Sequence, residues 1–263
     1  MTFNIETYLD SLPEDIKKIN VIGKGIDHLP DLIRFKKLKY LNCSHNKLTF
    51  LPFLNENLKE LNCNNNHLTS LPHLNENLKE LNCNNNQLTS LPHLNEKLNR
   101  IYCSNNKLTS LPPLNEKLKH LCCSNNQLTY LPLLNKNLKE LFCSNNQLTS
   151  LPNFNEKLKN LYCRNNHLTS LPYFNEKLEL FDYCVNPIYE IIIYNNKQIT
   201  NKKIKILNNF RYSYYCLKFK KRFRDWLWVK IREPKIREKY HYKYLIENLP
   251  DEETDLDEVL NNW

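Results

Sequence analysis

The sequence predicts a repeat solenoid: a parallel β-sheet along a concave face, an extended, polyproline-like convex side, and a mainly helical C-terminal segment. Three observations carry this. First, LKELNCNNNHLTSLP at 58–72 returns as LKELNCNNNQLTSLP from Leu78, LNRIYCSNNKLTSLP from Leu98 and LKELFCSNNQLTSLP from Leu138. Seven near-perfect copies start at Leu38, Leu58, Leu78, Leu98, Leu118, Leu138 and Leu158, so the period is 20 residues. Second, only five-residue fillers such as HLNEN separate the copies, too short for a return helix. Third, each copy closes on Leu-Pro, and proline keeps the residue before it extended.

The apolar skeleton of the unit is L-x-x-L-x-C-x-x-N-x-L, the leucine-rich-repeat signature, at the short end of its range of periods. Taken in order, residues 1–15 are expected to form a short helical cap over the open first repeat, because a terminal repeat has one face against solvent. Ile16, Ile19, Val21, Ile26 and Leu29 have the spacing of a degenerate first repeat, with Lys24 where Asn belongs. Leu12-Pro13-Glu14-Asp15-Ile16 is similar to the opening of an F-box, but the repeat register claims Ile16 onward and leaves no room for such a domain. In each regular copy positions 3 to 7 are expected as a strand, with Leu41 and Cys43 and their equivalents inward and positions 3, 5 and 7 outward. The Asn at 46, 66, 86, 106, 126, 146, 166 and 186 ends the strand, its amide free to bond backbone groups across repeats. The Asn before it (Asn65, Asn85, Asn105) suits a left-handed conformation. That lets a solenoid form in a chain with two glycines, Gly23 and Gly25.

The repeats therefore fill about 16–188, some nine in all with seven regular, followed by a 189–263 segment. Its 217–243 stretch, LKFKKRFRDWLWVKIREPKIREKYHYK, is basic and aromatic, and its end, DEETDLDEVLNNW, is acidic. Phe219, Phe223, Trp226 and Leu227 recur at helical spacing, and Pro234 should end that helix before a second one. This segment is expected to cap the last repeat. The alternative is a nucleic-acid-binding helix.

The LPxLxxxLxxLxCxxNxLTSLP unit resembles the 20-residue repeats of bacterial type III effector leucine-rich-repeat proteins. With its Cys, its Asn-rich fillers and its W-x-REPKIREKYH tail it resembles still more the repeat proteins of mimivirus-like giant DNA viruses. The resemblance covers about 12–188 and implies the fold. Function is not fixed by fold. Some of the bacterial effectors carry a C-terminal ubiquitin-ligase domain built on a catalytic cysteine. Here about 75 residues follow the last repeat with one cysteine, Cys216, in YYCLKFK, and the ligase does not carry over.

Ten cysteines raise the question of disulfides, but seven (Cys43, Cys63, Cys83, Cys103, Cys123, Cys143, Cys163) share one inward position. Free cysteine behaves there as a small hydrophobe. The expectation is a reduced thiol ladder in an intracellular, reducing compartment, host cytoplasm if the viral resemblance holds. The start, MTFNIETYLDSLPEDIKK, has no basic-then-apolar signal, and no stretch approaches the ~18 apolar residues of a membrane span. The net charge of +9 is unevenly spread.

Function is sought on the outward concave positions. Position 3 reads Tyr40, Glu60, Glu80, Arg100, His120, Glu140, Asn160, and position 5 reads Asn42, Asn62, Asn82, Tyr102, Cys122, Phe142, Tyr162. The first half is polar. The second carries aromatics bordered by charge: Tyr102, Phe142 and Tyr162 with Arg100, His120, Glu140 and Arg164, a composition like that of protein-interface hot spots. His120, Cys122 and Glu140 form a Cys–His–acid set, but no oxyanion cradle, Gly-rich loop or pocket accompanies them. His73 and His93, stacked on the convex side, are too few for zinc. The reading is a non-catalytic, cofactor-free interaction protein, expected as a monomer, that binds a protein partner on the concave face.

Overall fold

The computed structural model describes residues 3–192 and 197–229. It divides into two compact units, 1–206 and 207–263. The first is a solenoid whose nine strands form one parallel sheet in sequence order: β1 (Lys18–Asn20), β2 (Tyr40–Asn42), β3 (Glu60–Asn62), β4 (Glu80–Asn82), β5 (Arg100–Tyr102), β6 (His120–Cys122), β7 (Glu140–Phe142), β8 (Asn160–Tyr162) and β9 (Leu180–Asp182). Register is the repeat itself, Leu41 beside Leu61 beside Leu81. The step from β1 to β2 is the one irregular one, pairing Lys18 with Tyr40. Helix is absent from the return side of the regular repeats.

The strands are narrower than the five residues expected. They span positions 3 to 5, because the chain turns at position 8 into the left-handed region. His45, Asn65, Asn85, Asn105, Asn125, Asn145, Asn165 and Val185 all have φ between 52° and 56°. Gly23, at φ 62°, takes the same place in the first repeat. Position 7 consequently does not behave as an outward strand residue throughout: Ser44 is buried whereas Arg164 is exposed. Backbone bonds between repeats continue past the strand nonetheless, as Asn65 N donates to Asn84 O at 3.0 Å.

Inside, the Leu at 38, 58, 78, 98, 118, 138 and 158 have no exposed surface, and neither have the seven ladder cysteines. A fully buried leucine contributes about 1.5–3 kcal/mol, so the repeated core outweighs any single surface contact. Burial pushes the thiols of Cys43 and Cys83 up to about 12, and those of Cys63, Cys103, Cys123 and Cys143 well above their ordinary value. All nine described cysteines are free.

Two amide ladders satisfy backbone groups from repeat to repeat. In the expected one, Asn66 Nδ2 donates to Cys43 O (3.1 Å), Cys63 O (3.0 Å) and Asn64 O (3.2 Å), and its Oδ1 accepts from Leu48 N (3.0 Å). The pattern recurs down to Asn186, which bonds Cys163 O and accepts from Leu168 N. The second ladder, at 55, 75, 95, 115, 135, 155 and 175, lies on the return side. There Asn95 donates to Asn75 O (2.7 Å), Asn115 to Asn95 O (2.8 Å) and Asn135 to Asn115 O (2.7 Å). Residues that read as polar filler are therefore structural, Asn95 and Asn135 being buried.

Both ends are closed. At the start α1 (Ile5–Asp10) is capped by Asn4, whose side chain accepts from Thr7 N, and buries Ile5 and Leu9 one turn apart. A six-residue helix does not persist alone. Packing of Ile5 and Leu9 holds it, with Glu6 Oε1 2.7 Å from His28 Nε2 and Asp10 Oδ1 2.9 Å from Arg34 Nη1. At the other end α2 (Pro187–Ile191) begins with proline at its first turn, and α3 (Lys197–Leu227) follows. Within the first unit Ile188, Ile192, Thr200 and Ile204 are buried, and the Tyr183 hydroxyl donates to Ile192 O. The Asn201 side chain bridges Phe174, accepting from its N–H and donating to its carbonyl, both at 2.9 Å. Every described side chain from 218 to 229 is exposed. The helix expected through Phe219 and Leu227 is the end of α3; the break at Pro234, the helix beyond it and the acidic 251–258 lie outside the described residues.

Candidate functional site

The concave row is built by the register of the sheet. β5 to β8 place Tyr102 beside Cys122, Cys122 beside Phe142 and Phe142 beside Tyr162. Parallel strands lie about 4.8 Å apart, so the four side chains span about 15 Å. Phe142 and Tyr162 stack, centroids 5.0 Å apart and planes within 7°. Tyr102 stands apart from them, separated by Cys122. All four are half-buried rather than freely exposed, because each is flanked by its neighbours in the row.

The charged border pairs along the sheet. Arg100 Nη1 lies 3.2 Å from Glu80 Oε2, and His120 Nδ1 lies 2.8 Å from Glu140 Oε2. Asn160 Nδ2 donates to Glu140 Oε1 at 3.3 Å. The structure thus brings His120, Glu140 and Asn160 into one chain of contacts and ties Arg100 to Glu80 of the preceding repeat. Glu80 belongs to this border although sequence reasoning assigned it to the polar half; its signal was the opposite charge one period from Arg100. Arg164 stands exposed at position 7, outside the chain of contacts.

The Cys–His–acid set has the wrong electrostatics for a nucleophile. His120 is bonded to Glu140, and no hydrogen bond joins it to Cys122 among the described residues. Burial, and secondarily the charge of Glu140, push the Cys122 thiol up to about 11. An activated thiol needs the opposite shift. Among the described residues no group of three or more His, Cys, Asp or Glu is arranged to hold a metal, and no helix is long and apolar enough to cross a membrane.

The polar half is also more ordered than its composition suggests. Asn42, Asn62 and Asn82 each turn their Oδ1 back to the backbone N–H two residues on, at 3.1, 3.2 and 3.3 Å. Tyr102, Cys122, Phe142 and Tyr162 cannot make this turn, and their side chains are left to the face. A shallow depression of about 210 Å³ lies here, lined by Tyr40, Glu60, Glu80 and the Asn row. It is a polar hollow rather than an apolar anchor site.

Against known proteins, the family described as Leucine Rich repeats (2 copies) matches at 36–76, 56–96, 116–156 and 136–176. No curated protein sequence matches. Similar solved structures include YopM from Yersinia enterocolitica, 32% identical over 67% of this chain and 43% of that one, at a TM-score of 0.60. YopM from Yersinia pestis, described as a leucine-rich effector protein, is 34% identical over 65% of this chain and 49% of that one, at 0.62. A Shigella effector leucine-rich-repeat domain is 32% identical over 64% of this chain and 74% of its own, at 0.51. The chain spans less than half the length of the two Yersinia proteins.

Proposed function

The chain belongs to the leucine-rich-repeat proteins, and from that premise we propose that it is a non-catalytic scaffold whose concave face, over β5 to β8, captures a protein partner. The observation that carries this is the stacked Phe142–Tyr162 pair, held half-open in the outward row that Tyr102 and Cys122 share. Stacked rings on paired strands are already ordered, so little entropy is lost on docking, and such anchors typically dominate an interface at about 2 kcal/mol or more each when truncated. Glu60, Glu80, Glu140 and Asp182 along the same face oppose phosphate and favour a protein there. The resemblance to giant-virus repeat proteins, with the likeness to Yersinia and Shigella effectors, extends the proposal to action inside a host cell. The buried reduced cysteines agree with such a compartment.

Proximity labelling and pull-down with the wild-type chain, a Phe142→Ser/Tyr162→Ser variant and an Asn62→Ser/Asn82→Ser variant test it. The aromatic double variant should weaken capture of a wild-type partner at least tenfold while its melting curve stays cooperative. Equal damage from the Asn pair, or no damage from either, means the partner sits elsewhere.

A further inference from the structure

The excess charge of the chain is concentrated on one element. Ten of the 37 basic residues and one of the 28 acidic ones fall on α3, leaving 27 of each for the rest of the chain. The net +9 is therefore the charge of α3 alone. Within the second unit its cations crowd into Lys218, Lys220, Lys221, Arg222 and Arg224, all exposed. Lys220, Lys221, Arg222 and Arg224 have no carboxylate partner among the described residues, although Asp225 follows directly. Phe219 is 65% exposed beside them and Trp228 49% exposed just beyond. Uncompensated cations at this density cost self-repulsion, which a polyanion relieves by releasing its counterions.

We propose that the 218–228 segment, the last turns of α3 with Trp228 just beyond, binds nucleic acid through its phosphate backbone, without base-sequence readout. An anionic membrane is the competing polyanion, but an interfacial helix sorts apolar and charged residues onto opposite faces. In 218–228 the helical spacing of Phe219, Phe223, Trp226 and Leu227 puts them on one side, but the exposed Trp228, four residues on from Arg224 and seven from Lys221, falls among the cations, so that sorting is broken. Successive helical residues step by about 100°, so Lys220, Lys221 and Arg222 face three directions. That distribution suits a helix with phosphates on both sides, as a groove provides, and the exposed Phe219 and Trp228 rings can stack on bases. This binding is independent of the concave face.

Fluorescence anisotropy of a labelled 20-base-pair DNA with the full chain tests it, with single-stranded DNA and duplex RNA of equal length as parallel arms. If four phosphates are neutralised, the affinity should fall about 150-fold between 50 and 200 mM salt. Changing Lys220, Lys221, Arg222 and Arg224 together to Gln should cost at least tenfold at 50 mM salt and flatten that slope. Gln is a good helix former and the sites are exposed, so melting should not change. The milder Lys220→Gln/Lys221→Gln variant should lower the slope by about two. Phe142→Ser/Tyr162→Ser should bind nucleic acid as the wild type does, which separates this proposal from the concave one. Binding in any of the three arms with this behaviour supports the inference, and the arm preferred names the form. No binding at 50 mM salt, an undiminished quadruple variant, or retention only on phosphatidylserine vesicles overturns it.

Discussion

Asn125 and Asn126 are adjacent, chemically identical and predicted to fail for different reasons. Asn126 Nδ2 donates to Cys103 O, Cys123 O and Ser124 O, and its Oδ1 accepts from Leu108 N at 3.0 Å. In Asn126→Ala the carbonyls keep partners: Cys103 O still receives Asn106, Cys123 O receives Asn146, and Ser124 O receives Asn105 N. Leu108 N–H does not, and it is left buried and unpaired. An orphaned buried donor costs about 1–3 kcal/mol, and the three shared bonds add less than a full bond each, so about 2–4 kcal/mol is expected. Asn125 makes no side-chain bond that this substitution removes; it holds φ 56°. Asn125→Ala should cost about 1–2 kcal/mol through left-handed strain, and Asn125→Gly should be close to neutral. Asn126→Gly should be no better than Asn126→Ala. Val185 is the converse case, a β-branched residue at φ 56° with an exposed side chain, so Val185→Asn should stabilise by about 1 kcal/mol. Urea unfolding followed by far-UV circular dichroism measures all five, read as midpoint shifts at constant m. An Asn126→Ala loss below about 0.5 kcal/mol, or glycine rescuing position 126 as well as 125, refutes the account of the ladder.

Thiol titration without reductant should find few reactive groups in the native protein and close to ten after denaturation, since burial suppresses the thiolates of the ladder; several disulfides instead would overturn the packing account. The His28 imidazole is raised by its hydrogen bonds to Asp27 and then Glu6, while the two carboxyls are lowered by His28. The imidazole contribution is full below the ordinary His value of about 6.5 and is lost as pH rises through the raised one; the carboxylate contributions are lost as pH falls through their lowered values. NMR titration should therefore place His28 above 6.5 and Glu6→Gln should bring it down, and an unmoved His28 in that variant would disprove the contact to α1. Truncation after Ile206 keeps Ile188, Ile192, Asn201 and Ile204 and should melt like the full chain, whereas truncation after Pro187 should lower both solubility and melting temperature. Equal melting of the two would show that the α2–α3 cap contributes nothing.

By itself the sequence determined the inward core and the strand-end turn of every repeat. A contact between residues 20 apart has the same partner in every repeat, so Leu41, Cys43, Asn46 and the left-handed position before it could be placed by copying one unit along the chain. Three features were decided by tertiary structure. The return-side Asn ladder looked like filler, because an amide bonding a carbonyl of the preceding repeat has no apolar period to announce it. The aromatic row was legible in composition, but the stacking of Phe142 on Tyr162 and the isolation of Tyr102 depend on side-chain geometry across four strands. The two ends were the least legible. Glu6 with His28, and Asn201 with Phe174, are single contacts 22 and 27 residues apart, made once where the translational rule stops and the exposed end of the core selects whatever covers it.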